Sequence, residues 1–193
     1  CPGTSVQFTA TPVNGGTTTA YQWNLNGSSV GSGGNTYTSS TLVNGDQVRV
    51  ILTSSLRCTT GNPATSNTIT MSLLSPPAIT GQPVSLTQCA GTNATFTVTA
   101  TGSGLTYQWR KGGTNITGAT SASYTINNIA TTDAGNYTVV VTGTCGTVTS
   151  NIASLTVNTA PAITAQPVSL TQCAGTNATF TVKTATALDS ETN

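Results

Sequence analysis

Apolar and polar residues alternate in short runs along most of the chain. The runs include VQFTA at 6–10, YQWNL at 21–25, QVRVIL at 47–52 and TITMSL at 68–73. TFTV, TYQW, SYTI, YTVVV and ASLTV follow between residues 95 and 157. A period of two places successive side chains on opposite faces of a strand, so each run predicts a short strand with one face turned to a core. Clusters of Gly, Asn, Asp, Ser and Pro between the runs predict turns. Thr, Val and Gly are too frequent, and Leu, Glu and Lys too rare, for a long helix. The pattern predicts an all-β chain, with about seven strands in each unit packed as a two-sheet sandwich.

The runs recur in order. Residues 77–98, PAITGQPVSLTQCAGTNATFTV, return at 161–182 with one change, Gly81 against Ala165. A weaker repeat underlies the strong one. Cys1, Cys89 and Cys173 each open a C-x-G-T stretch, and each is followed seven residues later by Phe8, Phe96 or Phe180. YQW then places Trp23 and Trp109; Tyr37 and Tyr124 follow; Asp46 and Asp133 each precede a cysteine, Cys58 or Cys145, by twelve positions. SNTITMSL and SNIASLTV close the two units. Proline-bearing junctions at LSPPA and NTAPA divide a first domain at 1–74 from a second at 75–158. The first domain begins at its counterpart of Cys89, without the leading strand. Residues 159–182 read as the first strands of a third repeat, and 183–193 as a divergent tail. The chain reads as a window on a longer tandem array.

Composition narrows the chemistry. There are five Lys or Arg, four Asp or Glu and no His, and charged residues make up 5% of the chain, against about 25% in ordinary domains. A net charge of +1 gives no electrostatic reason to expect nucleic acid. No apolar run approaches the roughly 20 residues of a membrane helix. Without His there is no Ser-His or Cys-His nucleophile and no imidazole metal site. The complete domains hold only Asp46 and Asp133, one in each, so no carboxylate pair is expected, and both aspartates read as turn residues. No catalytic residue, cofactor or metal is expected. Five cysteines in such a chain point to an oxidising, extracellular setting, cell-surface or secreted.

The second unit resembles an immunoglobulin-like domain of the intermediate type. It carries G-x-x-A-T-F-T-V from Gly91 for strand B, YQW for strand C, YTINNI for strand E, and D-A-G-x-Y from Asp133 to Tyr137 at the corner leading into strand F. The first unit shares YQW and an NGD corner and resembles the PKD-like relatives of that sandwich. Together they resemble the tandem repeats of large surface adhesins and secreted proteins of Bacteroidetes-type bacteria. The resemblance implies tandem immunoglobulin-like β-sandwiches with Trp23, Trp109 and Tyr137 in the structural core. It implies that Phe8, Phe96 and Phe180 are core residues of strand B, which leaves no aromatic free for a sugar platform. Arg110 and Lys111 read as a solvated hairpin. Where antibody-like domains bridge their sheets by cysteines on strands B and F, this sequence has Val98 and Val139.

Two disulfide schemes are open. One pairs within domains, Cys1 with Cys58 and Cys89 with Cys145. The other follows from the resemblance, in which strands B and F run the same way. Cys89 then lies nine residues before the level of Val98 and Cys145 six residues after that of Val139, too far apart for the roughly 7 Å between Cα atoms that a bond needs. That geometry favours an inter-domain bond, Cys1–Cys145. It leaves Cys58, Cys89 and Cys173 to partners in neighbouring repeats.

The expectation is a non-catalytic stalk or fibre segment of a repetitive surface or secreted adhesin, stiffened by junction disulfides. The alternative is an accessory glycan- or protein-binding module of a secreted multidomain enzyme. Expected partners are neighbouring repeats or identical chains, through fibre or edge-strand pairing. Surface glycan or host protein contacts would fall on GSSVGSGGN (27–35) and KGGTNITGA (111–119).

Overall fold

The computed structural model describes residues 1–56 and 60–184. Cys58 and most of the tail lie outside the described residues. Contacts divide the chain into two compact units. The first comprises Cys1–Pro77 with two short segments, Thr101–Leu105 and Gly143–Gly146; the second comprises Ala78–Ala100, Thr106–Thr142 and the residues from Thr147 onward. The fold is all-β.

In the first unit, β1 (Val6–Thr9), β2 (Ala20–Leu25), β3 (Ser28–Ser32), β4 (Thr36–Ser39), β5 (Gln47–Thr53), β6 (Ala64–Thr65) and β7 (Ile69–Thr70) form two sheets. One is the pair β1–β4; the other runs β3-β2-β5-β6, with β7 also pairing β5. The alternating runs decide which residues face inward. Phe8 stands opposite Tyr37 and Trp23 opposite Val50. Phe8, Trp23, Leu42, Val48 and Val50 are buried together. The rings of Phe8, Trp23 and Tyr37 lie 5.9–6.4 Å apart, each pair adding about 0.5–1.5 kcal/mol beyond area burial.

The second unit contains β8 (Ala78–Gly81), β9 (Leu86–Cys89), β10 (Ala94–Thr97), β11 (Thr99–Thr101), β12 (Thr106–Lys111), β13 (Thr114–Asn115) and β14 (Ser123–Ile126). After a 3-10 turn at Thr131–Asp133 come β15 (Gly135–Gly143), β16 (Gly146–Thr149) and β17 (Ala153–Asn158). The larger sheet runs β13-β12-β15-β17-β9, with β16 on β15, and β9 joins β17 in parallel. Opposite it, β10 pairs β14 with Phe96 against Tyr124, and β8 pairs β11. Phe96, Trp109, Tyr137, Val139 and Val141 are fully buried.

The segments 27–35 and 111–119, read as loops, each supply an edge strand, β3 or β13. The turns explain it. Asn26-Gly27 and Gly112-Gly113 hold both central residues at positive φ (52° and 86°, 54° and 85°), the geometry whose twist matches a two-residue hairpin. Sequence periodicity alone misses strands this polar.

The opening of the third repeat is only partly formed. β18 (Ile163–Ala165) pairs β19 (Lys183–Thr184), repeating the β8–β11 pairing. Residues 170–173 and 178–181, identical to β9 and β10 in sequence, form no strand. Phe96 is 1% exposed and Phe180, its exact repeat, is 64% exposed. Phe180 is therefore not a core residue here. β10 owes its strand state to β14, and β9 to β17; the described residues supply the third repeat with neither.

Candidate functional site

Most of the candidate residues are structural, and the fold shows what each holds. Val98 and Val139, where the sequence predicts packing in place of the bridge of antibody-like domains, are buried. Val98 sits between β10 and β11, its amide donating to the Ala122 carbonyl at 3.0 Å. Val139 lies opposite Trp109. The indole N–H of each tryptophan reaches a backbone carbonyl, Trp23 to Gly34 at 3.1 Å and Trp109 to Ser121 at 2.9 Å. A buried indole therefore costs no unsatisfied donor.

The two acidic corners use different bonds for the same end. Asp133 accepts from the Ala130 amide at 2.8 Å, closing the 3-10 turn, and its carbonyl accepts the Tyr137 hydroxyl at 2.7 Å. Lys111 donates to the Thr132 carbonyl at 2.6 Å and stands 5.7 Å from the Tyr137 ring centre. Arg110 donates to Asn115 across the β12–β13 hairpin at 2.7 Å. So the basic pair sits in the β12–β13 hairpin and makes its hydrogen bonds at the exposed surface, and Lys111 braces the corner. Lys111 ends β12, opposite Tyr137 on β15.

Burial pushes the Tyr137 phenol up to about 12, with the Asp133 charge and Tyr124 adding to it. Its ordinary value is 10.0. A raised folded value means that the neutral hydroxyl stabilises the fold fully below the ordinary value and loses that contribution as pH rises through about 12. Tyrosinate absorbance in an alkaline titration is expected to show one tyrosine that ionises last, and Tyr137→Phe should remove that step.

Asp46 accepts from the Val43 amide and from the Asn26 side chain, both at 2.8 Å, while Asn26 accepts from the Gln47 amide at 2.9 Å. These bonds, the backbone one first, hold its carboxyl below the ordinary 3.8. The depressed value means stability present above about 3.8 that is lost as pH falls through the folded value. Acid unfolding of the first unit below that pH should flatten in Asp46→Asn, followed by Trp23 fluorescence.

Cysteine supplies the remaining feature. Cys1 and Cys145 form a disulfide, S–S 2.06 Å with Cα atoms 5.5 Å apart. Cys145 occupies the turn between β15 and β16. Cys1 opens a C-x-G-T turn in which its carbonyl accepts from both the amide and the hydroxyl of Thr4, at 3.3 and 2.5 Å. The same turn recurs at Cys89 with Thr92 (3.2 and 2.8 Å) and at Cys173 with Thr176 (3.2 and 2.8 Å). Gly3, Gly91 and Gly175 sit in it at φ 78°, 88° and 88°, which only glycine adopts freely. Cys89 and Cys173 are exposed free thiols.

The structure thus brings together Cys1 and Cys145, and Asp133 with Tyr137. Among the described residues, no three His, Cys, Asp or Glu side chains are grouped to hold a metal ion, and no helix is long and apolar enough to cross a membrane.

Comparison with known proteins agrees with this architecture. Residues 76–142 match the immunoglobulin domain family. Over 110 residues the chain is 36% identical to endoglucanase C of Cellulomonas fimi, a match spanning 54% of this chain and 10% of that protein. A titin I-band fragment superposes with a TM-score of 0.66 at 19% identity, over 86% of this chain and 64% of the fragment. A mutated variant of three titin immunoglobulin domains gives 0.64 at the same identity. The likeness to titin is one of fold: immunoglobulin-like sandwiches in tandem.

Proposed function

We propose that the chain is a non-catalytic structural segment of a longer extracellular protein, a stalk of the surface-adhesin kind in which successive sandwiches are tied by disulfides. The observation that carries this is the Cys1–Cys145 bond, which joins the opening turn of the first repeat to the β15–β16 turn of the second. The repeated C-x-G-T turn supports extending the scheme along an array. Cys89 and Cys173 are presented in the same hydrogen-bonded turn as Cys1 and are free to take the corresponding cysteine of a later repeat. Such ties restrict bending between repeats. The disulfide supports an oxidising, extracellular setting.

Mass-spectrometric mapping of the unreduced chain tests the proposal. A Cys1–Cys145 peptide is the expected product. Cys1 joined to Cys58, with Cys89 joined to Cys145, would make the domains independent beads and remove the tie on which the stalk rests.

The endoglucanase likeness favours a second reading, an accessory module of a secreted enzyme. It predicts affinity for a soluble glucan. Calorimetric titration against such glucans should show no binding if the chain is a stalk, and saturable binding if it is a glycan module.

A further inference from the structure

In the middle of the second sandwich, β14 is an edge strand. Among the described residues its strand partner is β10 alone, with Phe96 opposite Tyr124 and Thr97 opposite Ser123. The Val98 amide donates to the Ala122 carbonyl at 3.0 Å, which makes that a hydrogen-bonded pair. Such pairs alternate along an antiparallel ladder, so Tyr124 and Ile126 also turn their main-chain groups toward β10. Ser123 and Thr125 turn theirs the other way. On that side lies an open groove of about 280 Å³, lined by residues 117–121, Ser123, Tyr124 and Thr125, with no β10 residue in its wall. Natural edge strands are blunted by a charge, a proline or a bulge that deters pairing. β14 has none of these. No residue from 112 to 132 is charged or a proline, and the β10–β14 register runs unbroken.

We propose that β14 pairs with β14 of a second copy, antiparallel about a twofold axis, so that one sheet runs across two chains. The occupant is argued from the strand's own chemistry. With Tyr124 on the axis, Ser123 of one copy stands opposite Thr125 of the other, and each outward amide meets an outward carbonyl. The strand is thus its own complement, and no charge meets its like across the axis. The side chains beside these bonds are hydroxyls. Thr95 and Thr125 show what such a pair does on this face, hydrogen-bonding across the β10–β14 ladder at 2.9 Å. Tyr124, half-buried at the rim of the core, meets its own copy in the closer, non-hydrogen-bonded position. Main-chain bonds supply the affinity, as in other strand additions at a sheet edge. The contact uses the same patch on both partners, so it closes as a dimer. It does not depend on the stalk reading, because it sets sandwiches of two chains side by side whatever the disulfides join.

The test is analytical ultracentrifugation of the full chain, with Cys58, Cys89 and Cys173 replaced by serine so that no intermolecular disulfide contributes. Mass should rise with concentration and level at two chains. Ser123→Lys with Thr125→Lys should hold the chain single, and so should Ser123→Glu with Thr125→Glu. Mixed in equal amounts, these two double variants should pair, because opposite charges then face each other across the axis. Thr97→Lys should associate as the parent does, since Thr97 is exposed on the same face but one strand in from the edge. A parent chain that stays single overturns the proposal, as does mass that climbs beyond two chains. So does association that survives either double variant, which would move the contact off β14, or a mixture that stays single. Loss of association in Thr97→Lys would make the contact one of the whole face and overturn pairing at the edge. Circular dichroism of each variant separates failure to pair from failure to fold, and the exposure of Thr97, Ser123 and Thr125 makes folding the expected outcome.

Discussion

Replacing Cys1 and Cys145 together by serine is expected to lower the unfolding midpoint of the first unit by on the order of 10–20 °C, with the β-sheet signal at low temperature unchanged. The bond closes a chain separation of 144 residues. Loop-closure entropy for that length gives about 5 kcal/mol, and measured disulfides more often return about 2–4 kcal/mol. In a domain of this size each kcal/mol is worth about 4–8 °C. The double substitution is the right comparison, because a single one leaves a thiol free to pair with Cys89 or Cys173. Calorimetry of the two forms checks it. A midpoint moved by less than about 3 °C would mean that the bond constrains little beyond what the sheets already hold.

Trp109→Ala should destabilise the second unit by about 3–5 kcal/mol, roughly a fifth or more of the 5–15 kcal/mol typical of a domain. Trp109 is fully buried, lies opposite Val139, and stands 5.9 Å from the Phe96 ring and 6.2 Å from the Tyr124 ring. Truncation leaves a cavity between two sheets that no B–F disulfide holds together, and it orphans the Ser121 carbonyl that accepts the indole N–H. Val98 and Val139 offer only packing in place of that bond, so the loss has no covalent backstop. Urea unfolding followed by circular dichroism should show the midpoint fall with the slope unchanged. A loss below about 1.5 kcal/mol would place the weight of the core elsewhere.

Much of this was legible in the sequence because it depends on local pattern. YQW fixes which face of β2 and β12 turns inward, and D-A-G-x-Y fixes the corner where Tyr137 meets Asp133. The C-x-G-T turn is local too, with a glycine at positive φ and a threonine three residues after the cysteine. What was not legible depends on partners far along the chain. Residues 94–97 and 178–181 are both ATFT, yet only the first is a strand, because only the first has β14 beside it. No property of the four residues could have told them apart. β3 was missed for a related reason: SSVGS carries one apolar residue and is a strand because β2 and the Asn26-Gly27 turn make it one. The Lys111 contacts were not legible because its partners, the Thr132 carbonyl and the Tyr137 ring, lie more than twenty residues away.

The disulfide also decides where tension would travel. A pull applied ahead of Cys1 and behind Cys145 passes from one sulfur to the other and does not load the 143 residues in between. Fully stretched, that stretch would release about 500 Å of contour length; with the bond closed it releases none, whether or not the sandwiches are intact. Strength along this part of the chain is therefore set by a covalent bond and by the short run of backbone beyond Cys145. The strands between the two cysteines are spared the load, while β16 and β17, which follow Cys145 and pair with β15 and β9, still bear it.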